Sequence, residues 1–167
     1  MISVYVHIPF CVKRCVYCDF VTFDNMALFI DEYTNSVCRE IELVSENSND
    51  KLELGSVYFG GGTPNLLPIS KFEAIFHTLH NKFSFSQNCE VTVELNPGLE
   101  NYQYLLSLSK LGVNRFSIGV QSFNDFELEQ LGRIHTVEDS IELFKLIHKT
   151  NTNNISFDLI LGLPGQR

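Results

Sequence analysis

Val4-Tyr5-Val6-His7-Ile8-Pro9-Phe10, followed at once by Cys11-Val12-Lys13-Arg14-Cys15-Val16-Tyr17-Cys18, is the stretch on which the reading of this chain turns. The first half is an apolar run that reads as a strand over residues 3–8, ended by Pro9. The second half places Cys11, Cys15 and Cys18 in a C-x-x-x-C-x-x-C pattern on the loop that leaves that strand. Three soft, anionic sulfurs suit an iron–sulfur cluster or zinc. Three ligands, where a closed site wants four, leave a metal position open, as a reactive site needs. The competing readings are structural zinc, with His7 or Cys38 as a fourth ligand, and a redox pair at Cys15 and Cys18. Structural zinc usually takes two separated ligand pairs, so three close thiolates favour the cluster. Lys13 and Arg14, between the ligands, either lower thiol pKa values and offset cluster charge or are solvated surface.

Outward from this loop the chain alternates strands and helices. A helix is expected over 28–45, with Phe29, Tyr33, Val37, Ile41 and Val44 on one face, then a polar loop at 47–50. A short strand over 56–59 is stopped by Gly60-Gly61-Gly62. Ser70-x-x-Glu73 reads as a capping box for a helix with Phe72, Ile75, Phe76 and Leu79 inward. A third strand, 90–95, closes at Asn96-Pro97-Gly98 and leads to a helix over 100–111 with Leu105 and Leu106 inward and Gly112 as a left-handed cap. A fourth strand spans 115–120, and a short helix spans 125–131. Thr136-x-x-Asp139 caps a longer helix to about His148, burying Val137, Ile141, Phe144 and Ile147. After a turn at 151–154, a fifth strand spans 155–161 and leaves through Gly162-Leu163-Pro164-Gly165.

Such alternation implies a parallel sheet, and right-handed crossovers put every strand-to-helix loop at one end. The unusual residues all map to that end. The cysteines follow strand one, the glycines follow strand two, Glu94 and Asn96 close strand three, Gln121 ends strand four and Asp158 lies in strand five. In parallel barrels that end carries the chemistry. The fifth strand is expected to have an open, apolar edge. The sequence is therefore read as one domain, 1–167, a partial barrel truncated after its fifth strand and forming the N-terminal part of a longer protein.

The formal net charge of −8 argues against non-specific nucleic-acid or anionic-membrane binding. No apolar run reaches about eighteen residues, and the N-terminus reads as neither signal nor transit peptide, so a cytoplasmic location is the expectation. Five cysteines, three of them clustered, favour metal or redox chemistry over a disulfide framework.

Each candidate has a bland alternative. Gly60, Gly61 and Gly62 let backbone approach a ligand closely or make a tight turn, and no phosphate-loop lysine follows them. Glu94, in a strand that looks buried, needs a partner, which a structural salt bridge would supply. Gln121 suits a ribose or a strand-end backbone bond. Arg133 suits a carboxylate or the surface, and Asp158 among apolar neighbours is costly unless paired. His7 is read as a bond to the backbone around the cysteine loop, and His135 as a helix-cap or supporting group.

The cysteine spacing is similar to the cluster motif of the radical S-adenosylmethionine (SAM) enzymes. More narrowly, Tyr5-x-His7-Ile8-Pro9-Phe10-Cys11 and Gly60-Gly61-Gly62-Thr63-Pro64 resemble the family of oxygen-independent coproporphyrinogen III oxidase and its relative, the haem chaperone HemW. Glu94-Leu95-Asn96-Pro97, Gly119-Val120-Gln121-Ser122-Phe123, Leu131-Gly132-Arg133-x-His135 and Asp158-Leu159-Ile160-x-Gly162-Leu163-Pro164 follow in family order. The resemblance implies an α/β parallel partial barrel and a [4Fe-4S] cluster on Cys11, Cys15 and Cys18, with one iron left for SAM. It implies reductive cleavage of the sulfonium to methionine and a 5'-deoxyadenosyl radical. Gly61, Gly62 and Thr63 would contact the methionine part of the cofactor. Glu94, Gln121, Arg133 and Asp158 would line the rest of its site, with Tyr5 and Tyr17 packed near cluster and cofactor.

By the same resemblance, the catalytic oxidase carries a further cysteine two residues after the third ligand, where this chain has Phe20, the pattern of the HemW-like branch. That branch implies haem or porphyrin as cargo and an electron donor such as flavodoxin or ferredoxin. Its haem-linked His-Asn-x-x-Tyr-Trp motif is not in this sequence. The expectation is a haem-trafficking radical SAM protein. Oxidative decarboxylation of coproporphyrinogen is the enzyme alternative, and a zinc-stabilised interaction module is the alternative from another class.

Overall fold

The computed structural model describes residues 1–46, 51–150 and 152–166. The polar loop expected at 47–50 and the first residue of the turn at 151–154 lie outside them. In chain order the elements are β1 (Ile2–Ile8), β2 (Phe10–Cys11), β3 (Phe23–Asp24), α1 (Ile30–Glu46), β4 (Glu53–Gly61), α2 (Ile69–Lys82) and β5 (Ser84–Leu95). Then come α3 (Tyr102–Lys110), β6 (Arg115–Gln121), α4 (Asp125–Gln130), α5 (Val137–His148) and β7 (Ile155–Leu159).

Five strands form one parallel sheet in the order β1-β4-β5-β6-β7. Each βα unit adds its strand beside the previous one and the order never reverses, as in barrel winding and unlike a doubly wound sheet. α1 packs on α2, α2 on α3 and α3 on α5, so the helices form one outer layer.

Period-two alternation divides the sheet into two faces. Val6, Ile8, Val57, Phe59, Val91, Val93, Leu95, Phe116, Ile118 and Val120 are buried in the core. Phe59 meets Phe72 and Phe76 of α2 at ring separations of 5.2 and 5.3 Å. The alternate positions are polar and in register, with Tyr5 beside Tyr58, Tyr58 beside Thr92, Glu94 beside Ser117 and Ser117 beside Ser156. They are knitted by Arg115 to Thr92 (3.2 Å) and to Ser156 (2.9 Å), and by Ser156 to Ser117 (2.9 Å).

Several local expectations are corrected. β4 runs through Gly60 and Gly61, because the end of β1 still pairs with them. Ser70 does not cap α2. Pro68 is the N-cap, with no side-chain cap bond, and Ser70 is already helical. Starting the helix at Ile69 puts that side chain on the core with Phe72 and Phe76, outweighing a cap worth about 1 kcal/mol. The buried face of α1 is Ile30, Thr34 and Ile41, with Tyr33 and Val37 half-buried, while Phe29 and Val44 are exposed. α5 buries Ser140, Leu143 and Ile147, and Val137, Ile141 and Phe144 are only half-buried. In α3, Leu105 and Leu108 are buried, rather than Leu105 with Leu106. The capping box at Thr136 and Asp139 is present, and Gly112 is left-handed at φ 108°. β7 ends at Leu159 and is an edge strand, with Phe157 and Leu159 exposed.

Candidate functional site

The cysteine loop is held from several directions. β2 pairs in parallel with β3, clamping its two ends together. Arg14 donates through Nε (3.2 Å) and Nη2 (2.9 Å) to the Cys18 carbonyl, so the guanidinium knits the loop rather than standing free in solvent. The Val16 N–H docks on the carbonyl of Leu131 (3.2 Å). His7 Nε2 donates to the Val21 carbonyl (2.8 Å), and Nδ1 accepts from the Tyr5 hydroxyl (3.1 Å). A carbonyl can only accept, which fixes that tautomer. His7 therefore does bond the backbone around the loop, and both of its ring nitrogens are engaged there.

The glycines serve the protein's own close contacts. A Cβ on Gly61 would lie 2.6 Å from the His7 ring, and φ there is 118°. On Gly62 it would lie 2.7 Å from the Phe10 carbonyl and 3.0 Å from Cys11 Sγ. The N–H groups of Gly62 and Thr63 reach the carbonyls of Ile8 and Phe10, both at 2.8 Å, tying the end of β4 to the start of the cysteine loop. The Gly61 N–H donates to Glu94 Oε2 (3.1 Å), whose other oxygen accepts from the Tyr58 hydroxyl (2.8 Å). Burial and the Glu94 carboxylate push the Tyr58 phenol up to about 12. Glu94 is half-buried, and among the described residues it has no ion pair.

Arg133 and Asn96 meet across the strand ends. Arg133 Nη2 donates to Asn96 Oδ1 (2.7 Å) and the Gly119 carbonyl (2.9 Å), Nη1 lies 3.6 Å from Cys15 Sγ, and Nε faces His135 Nδ1 at 3.3 Å. All are neutral or thiol acceptors, and among the described residues no carboxylate pairs with the guanidinium. The buried His135 ring passes its other nitrogen to the Val120 carbonyl (3.2 Å). Burial, then the Arg133 charge, lower its pKa to about 4, so it is a neutral orienting group. Thr63 is buried and donates toward Cys11 Sγ at 3.7 Å.

Gln121 closes β6 at φ 67°, with the Ser122 N–H bonded back to the Val120 carbonyl at 2.8 Å. That three-residue turn is strained for a side chain other than glycine, and such strain gathers at functional sites. Asp158 is not buried among apolar neighbours as expected. It is exposed on the edge strand and accepts from Ser117 Oγ at 3.3 Å.

One cavity of about 870 Å³ gathers these groups. Cys11, Cys15, Cys18, Tyr17, Gly61, Gly62, Thr63, Glu94, Gln121, Arg133 and Asp158 all line it. Tyr5 is outside the lining. It stacks at 6.0 Å on Tyr58, which lines the cavity, and its hydroxyl bonds His7 behind the cysteine loop. Burial pushes the Tyr17 phenol up to about 12. The sequence reading missed Tyr58, Asn65 and the side chain of Asn96. Tyr58 shares a strand face with Gly60, and Asn96 shares one with Glu94, so period two was the available signal. The three thiols face one cavity, with a hydroxyl on Cys11 and a cation on Cys15, a donor set that fits a large anionic metal group.

The radical SAM superfamily model matches residues 5–167. The chain belongs to the radical SAM superfamily. Membership implies SAM and a [4Fe-4S] cluster as its general cofactors. The chain is 41% identical over 170 residues to a protein named heme chaperone HemW from Synechocystis sp., covering 98% of this chain and 40% of that one. It is 33% identical over 168 residues to the oxygen-independent coproporphyrinogen III oxidase of the same organism, covering 99% and 36%. Among solved structures, coproporphyrinogen III oxidase (HemN) from Escherichia coli, a radical SAM enzyme, superposes with a TM-score of 0.89 at 29% identity, over 98% of this chain and 38% of that one. The five-stranded parallel sheet is thus a radical SAM partial barrel. The chain spans about two fifths of the length of these relatives. Among the described residues no helix is long and apolar enough to cross a membrane.

Proposed function

We propose that residues 1–167 are a radical SAM domain of a HemW-like protein in haem trafficking. Cys11, Cys15 and Cys18 hold the [4Fe-4S] cluster. Glu94, Gln121, Arg133 and Asp158, with Gly61, Gly62 and Thr63, hold SAM, and Tyr5 supports the site from behind, stacked on Tyr58. When bound together, cluster and SAM supply reductive cleavage of the sulfonium bond, giving methionine and a 5'-deoxyadenosyl radical.

The chain's own groups have distinct tasks in this reading. Arg133, whose guanidinium is held by Asn96, the Gly119 carbonyl and neutral His135, attracts a carboxylate. Glu94, already accepting from Tyr58 and Gly61, keeps lone pairs for an ammonium or ribose hydroxyl. The strained Gln121 presents an amide that both donates and accepts. Val12, Phe20 and Ile160 give the cavity part of its apolar lining.

Phe20 is the single observation that carries the HemW-like choice. It lines the cavity two residues beyond Cys18, where the resemblance gives the oxidase another cysteine. The 41% identity to a heme chaperone HemW supports the same choice. Haem or porphyrin is then the cargo, flavodoxin or ferredoxin the electron donor, and the cytoplasm the location. The superposition on HemN favours a second reading, oxidation of coproporphyrinogen III.

The test is anaerobic reconstitution of the full-length protein with iron and sulfide, followed by electron paramagnetic resonance of the reduced protein with and without SAM. A [4Fe-4S] signal that changes on adding SAM is expected, and Glu94→Ala should abolish the change while leaving the cluster. Absence of the cluster refutes the reading. Titration with haem, and an assay with coproporphyrinogen III, then separate the two functions. Turnover of the porphyrinogen would replace the chaperone reading with the oxidase one.

A further inference from the structure

Asn96 lies just past the last β5–β6 register pair, Leu95 with Ile118, and Pro97 follows it. Its backbone would be loose there, but the side chain of buried Asn65 continues the hydrogen bonding. Asn65 Oδ1 accepts from the Asn96 N–H and Nδ2 donates to the Asn96 carbonyl, both at 3.0 Å. The second Nδ2 proton goes to Glu100. The Asn96 side chain, so fixed, faces two ways. Oδ1 accepts from Arg133 Nη2 (2.7 Å) and Nδ2 donates to Thr63 Oγ1 (2.7 Å).

Each partner touches a different cysteine. With a lone pair of Thr63 Oγ1 occupied by Asn96, its proton is directed at Cys11 Sγ, 3.7 Å away. Arg133, held through Nη2, directs Nη1 at Cys15 Sγ, 3.6 Å away. One asparagine thus orients a neutral donor on one thiol and a cation on another. Donors on thiolates favour the more negative, reduced state of a metal group, and hydrogen bonds to sulfur are a recognised lever on its potential.

We propose that Asn96, locked by Asn65, is a positioning residue that holds Thr63 against Cys11 and Arg133 against Cys15 and so raises the reduction potential of the metal group on those thiolates. The proposal rests on the cluster reading above. Its consequence is functional, since a cluster that must pass an electron to a bound ligand works only within the reach of its donor.

The test uses the full-length protein, reconstituted anaerobically, with the midpoint potential followed by electron paramagnetic resonance in wild type, Asn96→Leu and Thr63→Val. Both variants should keep the cluster and be about tenfold harder to reduce, about 59 mV for a one-electron couple. The double variant should fall short of the sum, because the two act on one path. A potential that is unchanged or raised in cluster-bearing variants overturns the proposal and leaves the cluster reading standing. A wild type that takes up no cluster overturns both. If Asn96→Leu fails to fold, Thr63→Val, nearly isosteric, decides alone by the same criterion.

Discussion

Gly61→Ala and Gly112→Ala form a controlled pair. Both residues have positive φ, 118° and 108°. A Cβ on Gly112 meets nothing within 4 Å, so that substitution carries only the backbone penalty, about 1–2 kcal/mol. A Cβ on Gly61 lies 2.6 Å from His7 Cε1 and Nδ1, too close for the ring to stay. Moving His7 breaks its bonds to the Tyr5 hydroxyl and the Val21 carbonyl, at about 0.5–1.5 kcal/mol each. The expected loss for Gly61→Ala is therefore about 2–5 kcal/mol, against about 1–2 for Gly112→Ala. Urea unfolding measures both, provided the slope is unchanged between variants. Gly61→Ala should also lower iron uptake, because His7 anchors the cysteine loop, whereas Gly112→Ala should not. Equal destabilisation by the two variants would refute the argument, since it would mean that the ring is free to yield.

Thr136→Ala removes the hydroxyl half of the capping box on α5, leaving the backbone N–H of residue 136 on Asp139, and should cost about 1 kcal/mol, a fall of about 2–4 °C in Tm by calorimetry. Glu100 is held near pKa 7 by burial, against 4.5 as its ordinary value, so between those pH values the folded chain binds more protons than the unfolded one. Stability from this group falls as pH rises through that window. Glu100→Gln should accordingly gain on wild type between pH 5 and pH 8 in thermal unfolding, and a gap that does not widen refutes the assignment. His135 acts oppositely. Its folded pKa is about 4 against 6.5, so its contribution is lost as pH falls through that range, and His135→Gln should flatten the acid limb of the stability profile.

The sequence by itself determined the sheet, the end of it at which the candidate groups gather, and the thiol trio. These rest on local signals, since alternation assigns each strand residue to a face and three cysteines within eight positions must share a loop. The Thr136–Asp139 box was legible for the same reason, being closed within four residues. Tertiary structure decided what depends on contact between distant segments. Ser70 lost its cap to the packing of Ile69. Asp158 is exposed because β7 pairs on one side only. Gly61 is required by a ring 54 positions earlier in the chain. The hub at Asn96 joins β5 to Asn65, Thr63 and Arg133, and no spacing rule reports such bonds, because each depends on how strands meet in register. The sequence names the groups that could do chemistry, but the donors on each sulfur exist only once the sheet has brought its strand ends together.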